Sequence, residues 1–378
     1  MNPVEQYLAS RLEERKVAGN LRKLSTHRAT VDFYSNDYLG FVTSGILADE
    51  LQRSSLNIKP ATGSTGSRLL SGNTTLAENL EKNIAAFHKA EAALLFNSGY
   101  DANVGLLSCI SSRHTTILSD ELCHASLIDG IRLSQCSRKY KFAHNNLEEL
   151  ESQLKKHIND GPVIVVAESV YSMDGDMAPL KEMADLCISH GAQLIVDEAH
   201  ATGLFGDKGE GLVCASGLQD KVFARINTFG KALGCHGAVV LGSNLLQHYL
   251  VNFARTFIYT TALPEHSLLA IESAYRYMNS NNFTNQPLHD LIAFFRNAIK
   301  ESRMNGWTDS TSPIQALIAG DNIRCKQLAI KLQEAGLQVN AILHPTVPAG
   351  MERLRVCLHA FNTKEEVARL FQVLATEY

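Results

Sequence analysis

One lysine stands among small residues in Thr228-Phe229-Gly230-Lys231-Ala232-Leu233-Gly234, at the end of the β-branched and aromatic run 222–229. Small neighbours let a backbone approach a bulky ligand, and the Thr228 hydroxyl, three residues earlier, can bond a phosphate. A lysine on a tight turn at a strand end can form a Schiff base with an aldehyde. A lone loop lysine is more often a solvated charge, so the rest of the chain has to decide. Asp197 follows the apolar run Leu194-Ile195-Val196, where a carboxylate is costly without a cationic partner. A protonated pyridine nitrogen is such a partner, and a ring kept cationic accepts electrons from a carbanion. His200, three residues on, could bond a phenolic oxygen of that ring. The competing metal site from Asp197, Glu198 and His200 lacks further ligands at suitable spacing.

Three further stretches carry weaker signals. Gly99-Tyr100 turns a strand into a helix, whose first N–H groups and dipole favour an anion such as a phosphate. His124, in Cys123-His124-Ala125-Ser126, reads equally as a solvated capping residue or as an imidazole lying flat on a heteroaromatic ring. Glu168 to Asp176 places acids and hydroxyls beyond a buried strand end, but Asp174-Gly175 is also a turn signature.

The elements that must position these groups follow from periodicity. Between residues 92 and 243, buried β-branched runs alternate with helical patterns: strands near 92–96, 115–118, 139–142, 163–167, 193–196, 222–228 and 237–241. That alternation predicts an α/β fold, a mostly parallel sheet with helices on both faces. Ligands of such sheets sit beyond the carboxyl ends of the strands, where every residue above falls. A helix is expected over 4–24, with Leu8, Leu12 and Leu21 as its apolar positions. Residues 60–73 form a Gly/Ser/Thr-rich loop around Arg68, without the lysine of a nucleotide phosphate loop. Thr363-Lys364-Glu365-Glu366 opens the last helix as a capping box. The expected organisation is an N-terminal segment 1–45, a large domain 46–270 and a small α+β domain 271–378.

Composition bounds the partners. With 378 residues, 45% apolar and 20% charged, and a net charge of −4, nothing points to nucleic acid or an anionic membrane surface. No apolar run approaches the roughly 20 residues that span a bilayer, and the first residues do not form a signal peptide. Eight cysteines without a CxxC pair suggest reduced, mostly buried thiols and a cytoplasmic location. Cys235 lies four residues past Lys231 and receives no chemical role.

Together these motifs resemble the pyridoxal-phosphate enzymes of the aspartate-aminotransferase fold type, and among them the α-oxoamine synthase family. The likeness runs from Ser35-Asn36-Asp37-Tyr38-Leu39-Gly40 to Arg353-Leu354-Arg355-Val356. Its most specific part is Thr228 to Gly237, and His124-Ala125-Ser126-Leu127, Ser172 to Asp176 and Asp197 to His200 fit in order and spacing. The resemblance implies that Lys231 holds pyridoxal 5'-phosphate covalently and later acts as acid and base. It implies that His124 stacks on the ring, Asp197 pairs with its nitrogen and His200 bonds its phenolic oxygen. Ser172, Thr228, Gly99 and Tyr100 would lie near ring and phosphate. Thr260-Thr261 matches a segment that reaches a neighbouring subunit's phosphate, which implies a homodimer with shared sites.

Arg355 matches the family residue that holds the amino-acid carboxylate, and Asn36 one that assists near the substrate. Arg22 and Thr346 match substrate-binding positions of the branch that makes 8-amino-7-oxononanoate for biotin synthesis. That branch condenses L-alanine with a pimeloyl thioester on CoA or acyl-carrier protein, losing CO₂. Ser67 precedes Arg68 where the glycine-using 5-aminolaevulinate synthases carry Thr, leaving room for a substrate methyl. Ala77 stands where many relatives have His. The rivals are a glycine C-acetyltransferase, a serine palmitoyltransferase-like enzyme, and a cofactor-binding protein without catalysis.

Overall fold

Caps and apolar runs set the elements. Ser98 accepts from the Asp101 N–H and starts helix Gly99–Cys109, and Asn146 does the same for Leu147–His157 through Glu149. The aliphatic runs between helices bury both faces and so become parallel strands. The computed structural model describes residues 1–24, 26, 29–55 and 61–377, the side chains of 54 and 55 excepted. Pro60, first residue of the expected 60–73 loop, lies outside the described residues.

The strands, in chain order, are β1 (Val31–Phe33), β2 (Ala92–Phe96), β3 (Thr116–Asp120), β4 (Arg138–Phe142), β5 (Val163–Glu168), β6 (Gln193–Asp197), β7 (Ala224–Thr228), β8 (Ala238–Gly242), β9 (Ile314–Ile318), β10 (Leu337–Ile342) and β11 (Arg353–Cys357). The chain divides into two compact units. The larger, residues 37–172 and 177–285, is built on a seven-stranded sheet of order β2-β8-β7-β6-β5-β3-β4. Every neighbouring pair is parallel except those made by β8, which runs antiparallel to β2 and β7. The carboxyl ends of β2, β3, β5, β6 and β7 therefore share one edge. One apolar cluster joins Val166, Ile195 and Ile226 to Leu106 and Leu127 on helices Gly99–Cys109 and Ala125–Leu133. Another joins Val165 and Val196 to Leu150 and Met183 on helices Leu147–His157 and Leu180–Ser189. Both sheet faces are thus covered, as the alternation predicts.

The smaller unit, residues 1–36, 173–176 and 286–378, has a four-stranded sheet of order β1-β10-β11-β9. In it β1 is parallel to β10 and the other pairs are antiparallel. The capping box expected at Thr363 is present, with Glu366 returning to the Thr363 N–H.

Three local outcomes differ from expectation. The helix expected over 4–24 spans Pro3–Val17, because Gly19 takes φ +67° and Asn20 N–H bonds back to the Arg15 carbonyl, closing the helix end. Leu8 and Leu12, expected as its apolar positions, are 54% and 59% exposed. Helices Ile46–Ser55 and Asn244–Phe253 add to the expected elements, the second capped by Ser243. No helix among the described residues is long and apolar enough to cross a membrane. All eight cysteines are free thiols.

The ambiguous Asp174-Gly175 is built as a turn within the smaller unit. Asp174 pairs with Arg353, Thr308 donates to the Asp174 carbonyl at 2.9 Å, and Ser310 donates to the Gly175 carbonyl at 2.8 Å. Gly175 has φ +74°, and a Cβ there would collide with the Ile314 carbonyl oxygen. Gly175→Ala should therefore destabilise the protein by about 2–4 kcal/mol, the combined cost of a left-handed non-glycine residue and a buried clash. Urea unfolding of the variant checks this.

Candidate active site

β7 ends at Thr228, and the chain reverses into antiparallel β8. Phe229 N–H donates to the Gly237 carbonyl at 3.0 Å, Cys235 N–H to Phe229 at 2.7 Å and Gly234 N–H to Lys231 at 2.9 Å. This closed turn holds Lys231 at the strand edge. Its Nζ lies 2.8 Å from His200 Nε2, and His200 Nδ1 lies 2.8 Å from the Tyr38 hydroxyl, which is fully buried. A lysine ammonium can donate to Nε2 while Nδ1–H donates to Tyr38. With a neutral amine, Tyr38 donates to Nδ1 and Nε2–H faces the amine. The three groups can thus accommodate a proton at either end. Burial pushes the Cys235 thiol up to about 12, which leaves no thiolate beside the turn.

Asp197, 4% exposed, ends β6 opposite Glu168 of β5. Its Oδ2 accepts from Asn103 Nδ2 at 2.7 Å and its Oδ1 from the Ala199 N–H at 2.8 Å. Burial holds the Glu168 carboxyl well above the usual range, Asp197 adds to the rise, and Lys231 opposes it. Glu168 Oε1 accepts from the His124 N–H at 2.5 Å. His124 is exposed, while its Nδ1 turns to Ser126 Oγ at 2.7 Å. Desolvation lowers its pKa, Asp197 works against that and Lys231 with it.

Gly99 begins its helix against β7: a Cβ there would lie 2.5 Å from Thr228 Cγ2. The helix N-terminus and the Lys231 strand can approach only because that position is glycine. Tyr100 is 48% exposed, and its hydroxyl donates to Asp129. Thr260 Oγ1 accepts from Asn97 Nδ2 at 2.9 Å, two residues before Gly99. Ser172 is half-buried after β5.

In the smaller unit, Arg355 sits on β11, 5% exposed. Its Nη2 donates to Asn36 Oδ1 at 3.2 Å and its Nη1 faces Cys357 Sγ at 2.9 Å. Arg22 Nη2 donates to Thr346 Oγ1 at 3.1 Å. The structure therefore links Lys231 with His200, sets Asp197, His124, Gly99, Thr228 and Thr260 about the sheet edge of the larger unit, and joins Arg355 with Asn36 and Arg22 with Thr346 in the smaller. Tyr38, Asn103 and Ser126 gained no role from sequence. Among described residues, no group of three or more His, Cys, Asp or Glu could hold a metal ion.

The donor set fits an anionic cofactor with a basic ring. The buried Asp197 carboxylate suits a cationic ring, and the first-turn N–H groups of the helix that begins at Gly99 suit an anion. Fold and site define a pyridoxal-phosphate-dependent transferase of fold type I. The chain belongs to the aminotransferase class I and II family, whose model matches residues 28–374, and within it to the α-oxoamine synthases. It is an acyltransferase. It is 44% identical to an 8-amino-7-oxononanoate synthase of Emericella nidulans over 372 residues, 92% of this chain and 89% of that one. It also resembles the solved 8-amino-7-oxononanoate synthase of Francisella tularensis, at 29% identity and TM-score 0.78, covering 92% of this chain and 97% of that one. A serine palmitoyltransferase from S. paucimobilis with bound PLP shares the fold at TM-score 0.87 and 24% identity, with 100% and 98% covered.

Glu198, between Asp197 and His200, is fully buried, and burial raises its carboxyl to about 7 despite the Val213 N–H and Arg225. An acid raised in the folded state makes stability fall as pH climbs from the unfolded value to the folded one. Glu198 should therefore cost about 3 kcal/mol between pH 4.5 and pH 7, levelling off above. Glu198→Gln should flatten this part of the profile, read by urea unfolding at pH 5 and pH 8.

Proposed function

We propose that the protein condenses L-alanine with a pimeloyl thioester, on CoA or acyl-carrier protein, and releases CO₂ and thiol. The product is 8-amino-7-oxononanoate, an intermediate of biotin synthesis. The observation that carries this is Lys231 seated on His200 at the edge where Asp197 is pinned, in a chain 44% identical to a synthase of that name.

Lys231 would hold the cofactor's aldehyde, Asp197 its ring nitrogen, His200 its phenolic oxygen and His124 its face. Gly99, Tyr100, Ser172, Thr228 and Thr260 would surround the ring and phosphate. Bound pyridoxal phosphate supplies an electron sink for negative charge at the amino acid's Cα. Lys231 then takes and returns the Cα proton, and its contact with His200, itself bonded to Tyr38, gives that proton a place to rest. By the family resemblance, Arg355 and Asn36 would orient the amino-acid carboxylate, which a planar guanidinium matches with two parallel donors. Arg22 and Thr346 engage the acyl substrate. Ser67 before Arg68 supports alanine over glycine. The proposal takes the working state to be a cytoplasmic homodimer with shared sites, which the family resemblance and the free thiols support.

Lys231→Ala should fold and still take up cofactor, yet lose at least about 10³-fold in turnover. Circular dichroism and steady-state rates check this, and near-normal turnover would contradict the role. The substrate assignment is tested by assaying the pure holoenzyme with alanine, glycine and serine against acetyl, pimeloyl and long-chain acyl thioesters. Alanine with pimeloyl thioester should give the highest kcat/KM. A clear preference for glycine with acetyl-CoA, or for serine with a long chain, would overturn it.

A further inference from the structure

Behind the site, one buried amide joins two of its residues. Asn103, on the helix Gly99–Cys109, is 2% exposed. Its Nδ2 donates to Asp197 Oδ2 at 2.7 Å and to Ser126 Oγ at 2.9 Å. An ionised carboxylate only accepts, so the amide must turn its nitrogen toward Asp197, and both its hydrogens are used. Ser126, 1% exposed, accepts from Asn103 and so has its own proton to give to His124 Nδ1 at 2.7 Å. The Ser126 backbone N–H points at the same nitrogen at 3.2 Å. With two donors on Nδ1, the proton of the neutral ring is assigned to Nε2. The two helices are close enough for this because Gly130 has no side chain: a Cβ there would lie 2.8 Å from the Asn103 carbonyl oxygen.

We propose that Asn103 and Ser126 are positioning residues that fix the Asp197 carboxylate and hold His124 in its neutral Nε2–H form through one continuous chain of donors. It rests on the assignment of Asp197 and His124 to the cofactor made above. The physical gain is twofold. A neutral amide orients Asp197 without cancelling its charge, which stays available to a ring nitrogen. An imidazole meant to lie on a cationic ring must also stay uncharged, since two stacked cations repel. The charged groups that bear on His124 are Asp197 and Asp129, which favour its protonation, Lys231, which opposes it, and Glu168, which takes its backbone N–H. The Ser126 donors add to the side of Lys231.

The test uses full-length holoenzyme labelled with ¹⁵N-histidine. In the wild type, the imidazole nitrogens of His124 should report a single Nε2–H tautomer from pH 6 to pH 8. Ser126→Ala removes one oxygen and leaves the packing. It should give mixed tautomers and a His124 protonation midpoint raised by about half a unit or more. Asn103→Leu should weaken cofactor binding about tenfold, measured by equilibrium dialysis. A wild-type tautomer and midpoint in Ser126→Ala, or wild-type cofactor affinity in Asn103→Leu, would overturn the inference. If Asn103→Leu does not fold, Ser126→Ala alone decides. Asp197→Asn separates the two levels. Unchanged cofactor affinity in that variant overturns the site assignment itself. Weakened affinity there, with both other variants like the wild type, overturns only the positioning role.

Discussion

Two carboxyl groups, Asp197 and Glu168, lie buried opposite each other on neighbouring strands, and this is the constraint that the site answers to. Burying one acid is costly and burying a second beside it more so. Burial and the Asp197 charge raise the Glu168 pKa. Asp197 is met by two neutral donors, which orient it and leave its charge in place. In the proposed function a basic ring nitrogen would be the partner of this carboxylate, and the lysine at the next strand end the group that would bring the ring there.

The sheet makes this arrangement possible. Parallel strands deliver Gly99, His124, Glu168, Asp197 and Thr228 to one edge, each from a different segment of the chain. The one antiparallel strand, β8, contributes differently: its reversal closes the turn that carries Lys231. The close approach of the helix at Gly99 to Thr228 depends on a missing side chain, so the N-terminus of that helix and the lysine strand are set close together. Packing then rigidifies what the hydrogen bonds orient, with Tyr38 and Phe229 fully buried around the lysine turn.

Much of this was legible in the sequence where the signal was local. The strand at 92–96 and the capping box at Thr363 follow from a run and a cap a few residues long. The lysine turn could be read because small residues follow a β-branched run. The residues that went unread act at long range. Asn103 reaches Ser126 and Asp197, 23 and 94 residues away, and on its own helix it is one polar residue among Ala102, Val104, Leu106 and Leu107. That polar position inside a buried stretch was the available signal. Tyr38 meets His200 across 162 residues, and Arg353 meets Asp174 across 179. Leu21 continues the period of the first helix, while the Gly19 turn that ends the helix depends on a positive φ that periodicity does not register.

The most direct test of a seat for pyridoxal phosphate at the edge of this sheet is chemical trapping. Borohydride reduction of the purified holoenzyme, followed by peptide mass mapping, reads out where the cofactor is attached. One pyridoxyl group on Lys231, and on no other lysine, is the predicted result. Modification spread over other lysines with Lys231 untouched would contradict the account.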